Sequence, residues 1–421
     1  MIKRKAHMEL ITGLDLGSNS VRLATAKQVF VPGEKPSFQI VGLIEVSSEG
    51  IHKGVITSIE ETVSAVSHGL EKMEHLIGVP IEHAWVGISG LQIISQNSKG
   101  VVAVAKADGE IAAEDLERAV EASRAVATPL NYEILHVIPR AFTVDGQTGV
   151  KDPVGMTGVR LEVDTQIIEG QTPHIKNITK AVYRTGIDID DLVFSILSVG
   201  DLVTTQRQRD LGVAVVNIGG ATTSLIVYEE GEIIHTAVLP VGGEHVTNDL
   251  AIGLRTSIEV AERVKIEYGE CYPRNLSKKE TVDLKVVGAE LNEEVSRKYI
   301  AEIINARMEE VLEKIDLELS KIGRSTLLPA GVMFTGGGAK IPGLVDLAKD
   351  KLRLPATLGY PLDILSASEK INDLSFTTAV GLVRWGANMQ AGLGHNINSG
   401  FTKNIGNVSA QVKGWFKSLI P

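Results

Sequence analysis

Cysteine is almost missing from this chain. Cys271 stands alone among 421 residues, which excludes an internal disulfide and fits a reducing compartment. A single thiol with no accompanying His or Cys pattern is read as incidental rather than as a nucleophile. Aromatic residues amount to only 4%, too few to build stacking platforms for single-stranded nucleic acid. Positive charge is also short: 42 Lys and Arg stand against 52 Asp and Glu, and the net charge of −10 argues against a nucleic-acid partner. No apolar run reaches the roughly 18 residues that cross a bilayer. The basic start MIKRKAHMEL leads into no apolar stretch, so it is not a secretory signal. A cytoplasmic protein is expected. A last shortage is local, since no Asp or Glu follows Asp373.

Glycine, by contrast, is plentiful at 42 residues, and three clusters of it organise the chain. Val213–Ile218 has strand composition, meets Gly219-Gly220-Ala221-Thr222-Thr223, and is followed by a second apolar run from Leu225. Strand, glycine turn and strand make a β-hairpin whose turn can present backbone N–H groups to an anion. The same grammar recurs near the N-terminus, where Gly17-Ser18-Asn19-Ser20 separates two strand-like runs. Superposing the two aligns Asp15 with Asn217, Gly17 with Gly219 and Ser20 with Thr222, as an internal duplication would. Near the C-terminus, Gly331–Thr335 reads as a strand that ends in Gly336-Gly337-Gly338 before a helix start. Two related halves, each offering a phosphate-binding turn, would clasp a nucleotide between them.

The remaining segments read more plainly. Helices are expected over Ser58–Ile77, Ala113–Val126, Pro173–Thr185, Thr247–Gly253, Ser257–Tyr268 and Glu293–Ile322. The last carries Ile300, Ile304, Met308, Val311, Ile315 and Leu319 in one stripe. Strands are expected at Gln39–Val46, Ala84–Ser89, Glu133–Val144, Gly158–Val163 and Thr165–Glu169. The α+β character of Leu91–Val163 marks an insert of about small-domain size. His68 and His75 lack a supporting ligand pattern and are read as solvated or packed. Asp188, Asp190 and Asp191 lack the glycine and distal Glu of a calcium loop and are read as the start of a helix. From Ala391 to Asn407 the composition is that of a linker. Beyond it Val408, Val412, Trp415, Phe416, Leu419 and Ile420 fall on one helical face, with Lys413 and Lys417 placed to snorkel, as in a helix lying on anionic lipid. One such helix binds weakly, so stable attachment needs several copies in one assembly.

The paired hairpins, TGGGAKIPGL and the amphipathic end together resemble the actin/Hsp70/sugar-kinase superfamily. Within it, LHVIPRAFTVDGQTGVKDPVGMTGVRLEV at Leu135–Val163 is similar to the insert of the FtsA family of bacterial cell-division proteins. The resemblance runs from Ile11 onward. It implies a two-lobed, actin-like (ribonuclease-H-like) α/β fold with mixed sheets flanked by helices. Subdomain 1A would comprise 10–90 and 164–211, subdomain 1C 91–163, subdomain 2A 212–245 and 331–390, and subdomain 2B 246–330. A linker (391–407) and a membrane-targeting helix (408–421) would follow. It also implies ATP and Mg²⁺ as cofactors, with Gly13, Asp15, Gly17, Ser18 and Asn19 in the first phosphate motif. Asn217, Gly219, Gly220, Thr222 and Thr223 would form the second, Gly336, Gly337 and Gly338 the adenosine motif, and Glu262 and Lys265 would face ribose and adenine. Asp15 would carry the metal.

By the same resemblance the protein would polymerise and would tether filaments of the tubulin-like protein FtsZ to the inner face of the membrane at the division septum. The FtsZ tail would dock on subdomain 2B, and 1C would meet neighbouring protomers or later division proteins. The family pattern DIGGGTTD is NIGGATTS here, so Asn217, Ala221 and Ser224 depart from it; nucleotide binding with weak or absent hydrolysis is expected. The segment Leu197–Asp201 departs as well. Three alternatives share the lobed site: a small-molecule kinase, a PilM-type adaptor of pilus assembly and an Hsp70-type chaperone. Asn217 and the apolar tail speak against the first, the DPVGMTGVRLE text and the tail against the second, and the lack of a following substrate-binding domain against the third.

Overall fold

The computed structural model describes residues 10–29, 37–125, 128–277, 279–289, 294–366 and 368–390. The expected linker and the amphipathic segment with Trp415 and Phe416 lie outside them.

The first lobe begins with three antiparallel strands, β1 (Leu10–Leu16), β2 (Ser20–Val29) and β3 (Ser37–Ser47). A short ribbon of β4 (Ile51–His52) and β5 (Val55–Ile56) follows, then helix α1 (Ile59–Ile77) with Ser58 as its N-cap. β6 (His83–Ile88) returns beside β1 in parallel. The chain then leaves the lobe to build the insert. β7 (Ile93–Ala103), α2 (Ala113–Ser123), β8 (Tyr132–Val144), β9 (Gln147–Val150) and β10 (Arg160–Gln171) form a four-stranded sheet in the order β7-β10-β8-β9, covered by α2. α2 lies close enough that a Cβ on Gly100 would collide with the Ala119 carbonyl. Gly158–Val163 and Thr165–Glu169, separate segments in the sequence reading, are one strand. β10 continues to Gln171 because β7 and β8 hydrogen-bond it on both sides along its length.

After α3 (Thr172–Tyr183), β11 (Asp188–Phe194) completes the first lobe in parallel with β6. Here the expected helix start at Asp188, Asp190 and Asp191 is corrected. These residues belong to a strand, because pairing from Asp188 with His83 to Phe194 with Ile88 and the burial of Val193 and Phe194 override the local turn tendency of Asp. A register shift between Ile189 and Asp191 leaves Asp190 out of the pairing. Asp190 meets His83 Nδ1 at 2.7 Å, which raises the imidazole pKa, while burial pushes the Asp191 carboxyl up to about 7. His68 and His75 are exposed on α1, and among the described residues no His, Cys, Asp and Glu group could hold a metal.

α4 (Ser195–Val203) and α5 (Gln206–Leu211) cross to the second lobe. There β12 (Val213–Ile218), β13 (Thr223–Glu229) and β14 (Glu232–Leu239) form another antiparallel meander. α6 (Gly243–Leu254), α7 (Ile258–Tyr268), a ribbon of β15 (Thr281–Asp283) and β16 (Glu294–Ser296), and α8 (Arg297–Lys321) follow. β17 (Val332–Thr335) then joins β12 in parallel, and α9 (Leu344–Leu352) leads to β18 (Ala356–Leu358) beside it. β19 (Leu365–Ser366) reaches back to the edge of β3, and α10 (Thr377–Gln390) closes the described chain. The main sheets are ordered β11-β6-β1-β2-β3-β19 and β14-β13-β12-β17-β18, so each lobe is a three-strand meander extended by parallel strands on the side of its first strand. The duplication read from two turns is a duplication of whole sheets.

Side-chain alternation explains how the lobes meet. Along β12, Ala214, Val216 and Ile218 enter the core of the second lobe, while Val213 and Val215 join the core that contains α4 and α10. Both faces of this sheet are therefore buried, which is why its strands read as continuous apolar runs. α4 and α10 pack closely: a Cβ on Gly381 would sit 2.8 Å from the Ser198 carbonyl oxygen. The insert keeps a small core of its own, with Ile111, Leu116, Phe142 and Leu161. His136 pins it to the first lobe, accepting from the Phe194 N–H through Nε2 at 2.9 Å and standing edge-on to Trp385. Burial holds this imidazole down at about 4, so it is a neutral acceptor.

Candidate functional site

Both hairpin turns close with the same bond. Gly17 N–H donates to the Ser20 carbonyl at 3.1 Å, and Gly219 N–H to the Thr222 carbonyl at 2.9 Å, so the aligned residues are structurally equivalent. The two tips face each other. A Cβ on Gly220 would lie 2.0 Å from Asn19 Oδ1 of the opposite lobe and 3.0 Å from Glu244 Oε1. With glycine here, the Asn19 side chain of the first lobe rests directly on the second hairpin.

Three further elements converge on that point. The start of α6 sits on the second turn: Gly243 N–H donates to the Gly219 carbonyl at 2.9 Å and Glu244 N–H to the Gly220 carbonyl at 2.8 Å. Gly242 has no room for a Cβ, which would fall 2.4 and 2.6 Å from the Gly220 and Gly219 oxygens. Across from it the Gly336 turn requires φ of 87°, and a Cβ on Gly243 would be 3.7 Å from the Gly338 Cα and 3.9 Å from Lys265 Nζ. Lys265 is fixed by Thr247 Oγ1 at 2.8 Å, the Gly243 carbonyl at 3.3 Å and Glu262 Oε2 at 2.6 Å. The result is a cleft walled by glycine backbone, with a helix N-terminus and one ammonium beside it. Such a surface suits a polyanion.

Asp15 and Asn217 occupy equivalent places on β1 and β12 but differ chemically. Burial pushes the Asp15 carboxyl up to about 6, against the pull of Arg22, its partner across β2. An aspartate held this unfavourably gains from a cation. Asn217 has a neutral partner instead, donating through Nδ2 to Thr378 Oγ1 of α10 at 3.3 Å. Ser224, opposite Asn217 in register, is buried and shares a hydrogen bond with Ser89 at 3.1 Å. Ala221 is buried as well.

Most residues expected at the site are therefore brought together: Asp15, Gly17, Ser18, Asn19, Asn217, Gly219, Gly220, Thr222, Glu262, Lys265 and Gly336–Gly338. Two stand apart. Gly13 lies under α10, where a Cβ would meet the Ala379 carbonyl at 2.3 Å, and the buried Thr223 hydroxyl donates to the Val241 carbonyl at 2.7 Å. Gly242, Gly243, Thr247 and Glu244 were not singled out from the sequence. Their signal was the glycine pair between β14 and α6, the same strand, glycine and helix order as at Gly336.

Comparison with known proteins decides the family. A family model described as Cell division protein FtsA matches residues 214–381, and one for the SHS2 domain inserted in FTSA matches residues 90–169. The Cell division protein FtsA of Pseudomonas aeruginosa is 36% identical over 383 residues, covering 91% of this chain and 90% of the relative. The chain belongs to the FtsA family. The Bacillus subtilis FtsA is 37% identical and shares 90% of this chain and 83% of its own length; that of Escherichia coli K12 is 30% identical and shares 97% and 98%. Among solved structures, the PilM–PilN type IV pilus biogenesis complex superposes with a TM-score of 0.64 at 18% identity, over 89% of this chain and 98% of the other. MreB5 of Spiroplasma citri bound to ADP does so at 0.53 and 12%, over 91% and 98%. These likenesses establish the actin-like fold. The SHS2 match corresponds to the sheet of β7, β10, β8 and β9, and the FtsA match begins within β12.

Proposed function

We propose that this FtsA-family chain binds ATP between its lobes and acts as a scaffold of cell division, polymerising on the inner membrane face and tethering FtsZ filaments there. The observation that carries the reading is the convergence of two equivalent hairpin turns, the N-terminus of α6 and the Gly336 turn on one backbone-lined cleft. A triphosphate would fit between the two turns, whose Gly17 and Gly219 N–H groups close the turns themselves and leave the following backbone to face it. Gly17–Asn19 would flank it from one lobe and Gly219–Thr222 from the other, with Gly242–Gly243 packed behind the second turn. Gly336–Gly338, Glu262 and Lys265 would receive the nucleoside. Asp15 would take Mg²⁺, which supplies charge neutralisation for the phosphates when bound. Because Asn217 brings no second carboxylate, hydrolysis is slow and ATP serves to join the lobes.

FtsZ would dock on 246–330, later division proteins and neighbouring protomers on the insert, and anionic lipid on Val408–Ile420. No described helix is long and apolar enough to cross a membrane, as suits peripheral attachment. The test is liposome co-sedimentation of the full chain and of one ending at Asn404, with and without ATP, beside equilibrium binding of ATP. ATP binding by both chains and pelleting of the full chain alone, steeply dependent on protein concentration, is the expected result. Equal pelleting of both chains refutes the tether, and absence of ATP binding refutes the site.

A further inference from the structure

Between the two phosphate hairpins and the base of the insert runs a polar network that nucleotide binding as such does not need. Ser18 in the first turn accepts from the Gly54 N–H at 3.3 Å, at the tip of the β4–β5 ribbon. The Gly54 carbonyl accepts from Gln92 Nε2 at 2.9 Å, and the same nitrogen donates to the Ser89 carbonyl at 3.0 Å. Ser89 Oγ then meets Ser224 Oγ of the second hairpin at 3.1 Å. The Gln92 backbone carbonyl accepts from Gln171 N–H, so the residue also joins the strands that enter and leave the insert.

The joint is tight and built for this contact. A Cβ on Gly54, whose φ is +75°, would lie 2.3 Å from the Ser89 oxygen; one on Gly90, at φ +133°, would lie 2.3 Å from Gln92 Oε1. Gln92 is 4% exposed, and turning its amide over would set Oε1 against two carbonyl oxygens, so its orientation is fixed. Its Oε1 is buried with no partner, while its Nε2 is what satisfies the Gly54 and Ser89 carbonyls.

We infer that Gln92 couples occupancy of the cleft by a nucleoside triphosphate to the seating of the insert. The inference rests on the proposed nucleotide site. Ser18 has one O–H to give and can accept at the same time. Donating to a phosphate oxygen fixes the Ser18 Oγ and thereby holds Gly54 in place, whose carbonyl, on the following peptide group, positions the Gln92 amide. Ser224 brings in the position of the second hairpin, and Gln166 Nε2 adds a contact from the insert to Thr236 of β14 at 3.3 Å. The insert thus has hydrogen bonds to both lobes, and their alignment depends on how the lobes close.

The test is hydrogen exchange on the full chain with and without ATP, in wild type, Gln92→Leu and Ser224→Ala. In wild type, ATP slows exchange at Gly54, at Gln171 and along β7 by about fivefold, the size of one hydrogen bond. Both variants bind ATP within about threefold of wild type yet lose the slowing in the insert. Ser224→Ala removes a single hydroxyl and keeps the test alive should Gln92→Leu fold poorly. ATP-dependent protection that stops at the hairpins, or persists in the insert of both variants, overturns the coupling alone. Failure of the wild type to bind ATP overturns the site reading and the coupling with it.

Discussion

Asp15→Asn should make the nucleotide-free chain more stable, by a margin that grows as pH rises from about 4 to about 6 and is constant above that. Burial raises the Asp15 carboxyl from 3.8 in an unfolded chain to about 6 in the folded one. The folded state therefore binds the proton more tightly. Its contribution is fully present below the unfolded value of 3.8 and is lost as pH rises through about 6. Each pKa unit corresponds to about 1.4 kcal/mol, so ionising Asp15 costs the fold at most about 3 kcal/mol. Asp15 lines an open cleft and is only half-buried, which brings the expected figure nearer 1–2 kcal/mol. Asn cannot ionise and escapes the penalty. Urea unfolding of both chains without nucleotide should show midpoints that coincide near about pH 4 and diverge by about pH 8, with Asp15→Asn the more stable. Asp191, whose carboxyl is also raised, is common to both chains and cancels in the difference. In the presence of Mg²⁺ and ATP the order should reverse, because the cation rewards the carboxylate. A difference that is constant with pH, or a less stable Asp15→Asn at about pH 8, refutes the reasoning.

Two structural predictions follow from the same geometry. Gly242→Ala should destabilise the chain by about 1–3 kcal/mol, since its backbone is extended and the whole cost is the clash with the Gly219 and Gly220 oxygens. Gly337→Ala, whose new methyl meets nothing nearer than 3.9 Å, should stay within about 0.5 kcal/mol, and thermal melts of the pair check both. Asp201→Ala should cost about 3–5 kcal/mol by denaturant titration. Its carboxylate holds the buried Arg209 at 2.9 Å, and Asn388 and Arg384 of α10 at 3.3 and 3.6 Å. This explains one departure in Leu197–Asp201: the acid ties together the helices on which the chain crosses between lobes.

What the sequence disclosed depended on how local the cause was. The hairpin turns at Gly17 and Gly219 were legible because strand, glycine and strand is a local pattern, and duplication supplied the check. The stripe from Ile300 to Leu319 was legible because one face of α8 is buried throughout. The Asp188–Asp191 strand was not, since its cause is β6, some hundred residues earlier along the chain. Gly242 and Gly243 were overlooked for a related reason. A glycine pair acquires meaning only from what approaches it, here the carbonyls of the second turn and Lys265. Gly13 shows the converse, a motif glycine whose missing side chain makes room for α10.

Asn217 and Ser224 are better understood together than as two losses. They pair across β12 and β13, so their side chains share one face of the sheet. Aspartates at both positions would stand about 5 Å apart, and at an effective dielectric constant of about 20 their repulsion is on the order of 3 kcal/mol. Such a pair needs a cation before the nucleotide arrives. Here each position has a neutral partner in a different part of the molecule, Thr378 on α10 and Ser89 at the base of the insert. With neutral partners at both positions, the nucleotide-free fold carries no carboxylate pair between these two strands that would call for a metal. EDTA should accordingly leave the melting temperature of the nucleotide-free chain unchanged. The double variant N217D/S224D should melt several degrees lower and recover with Mg²⁺. A wild-type chain destabilised by EDTA without nucleotide would show that a metal still holds the lobes, and that the two substitutions did not replace it.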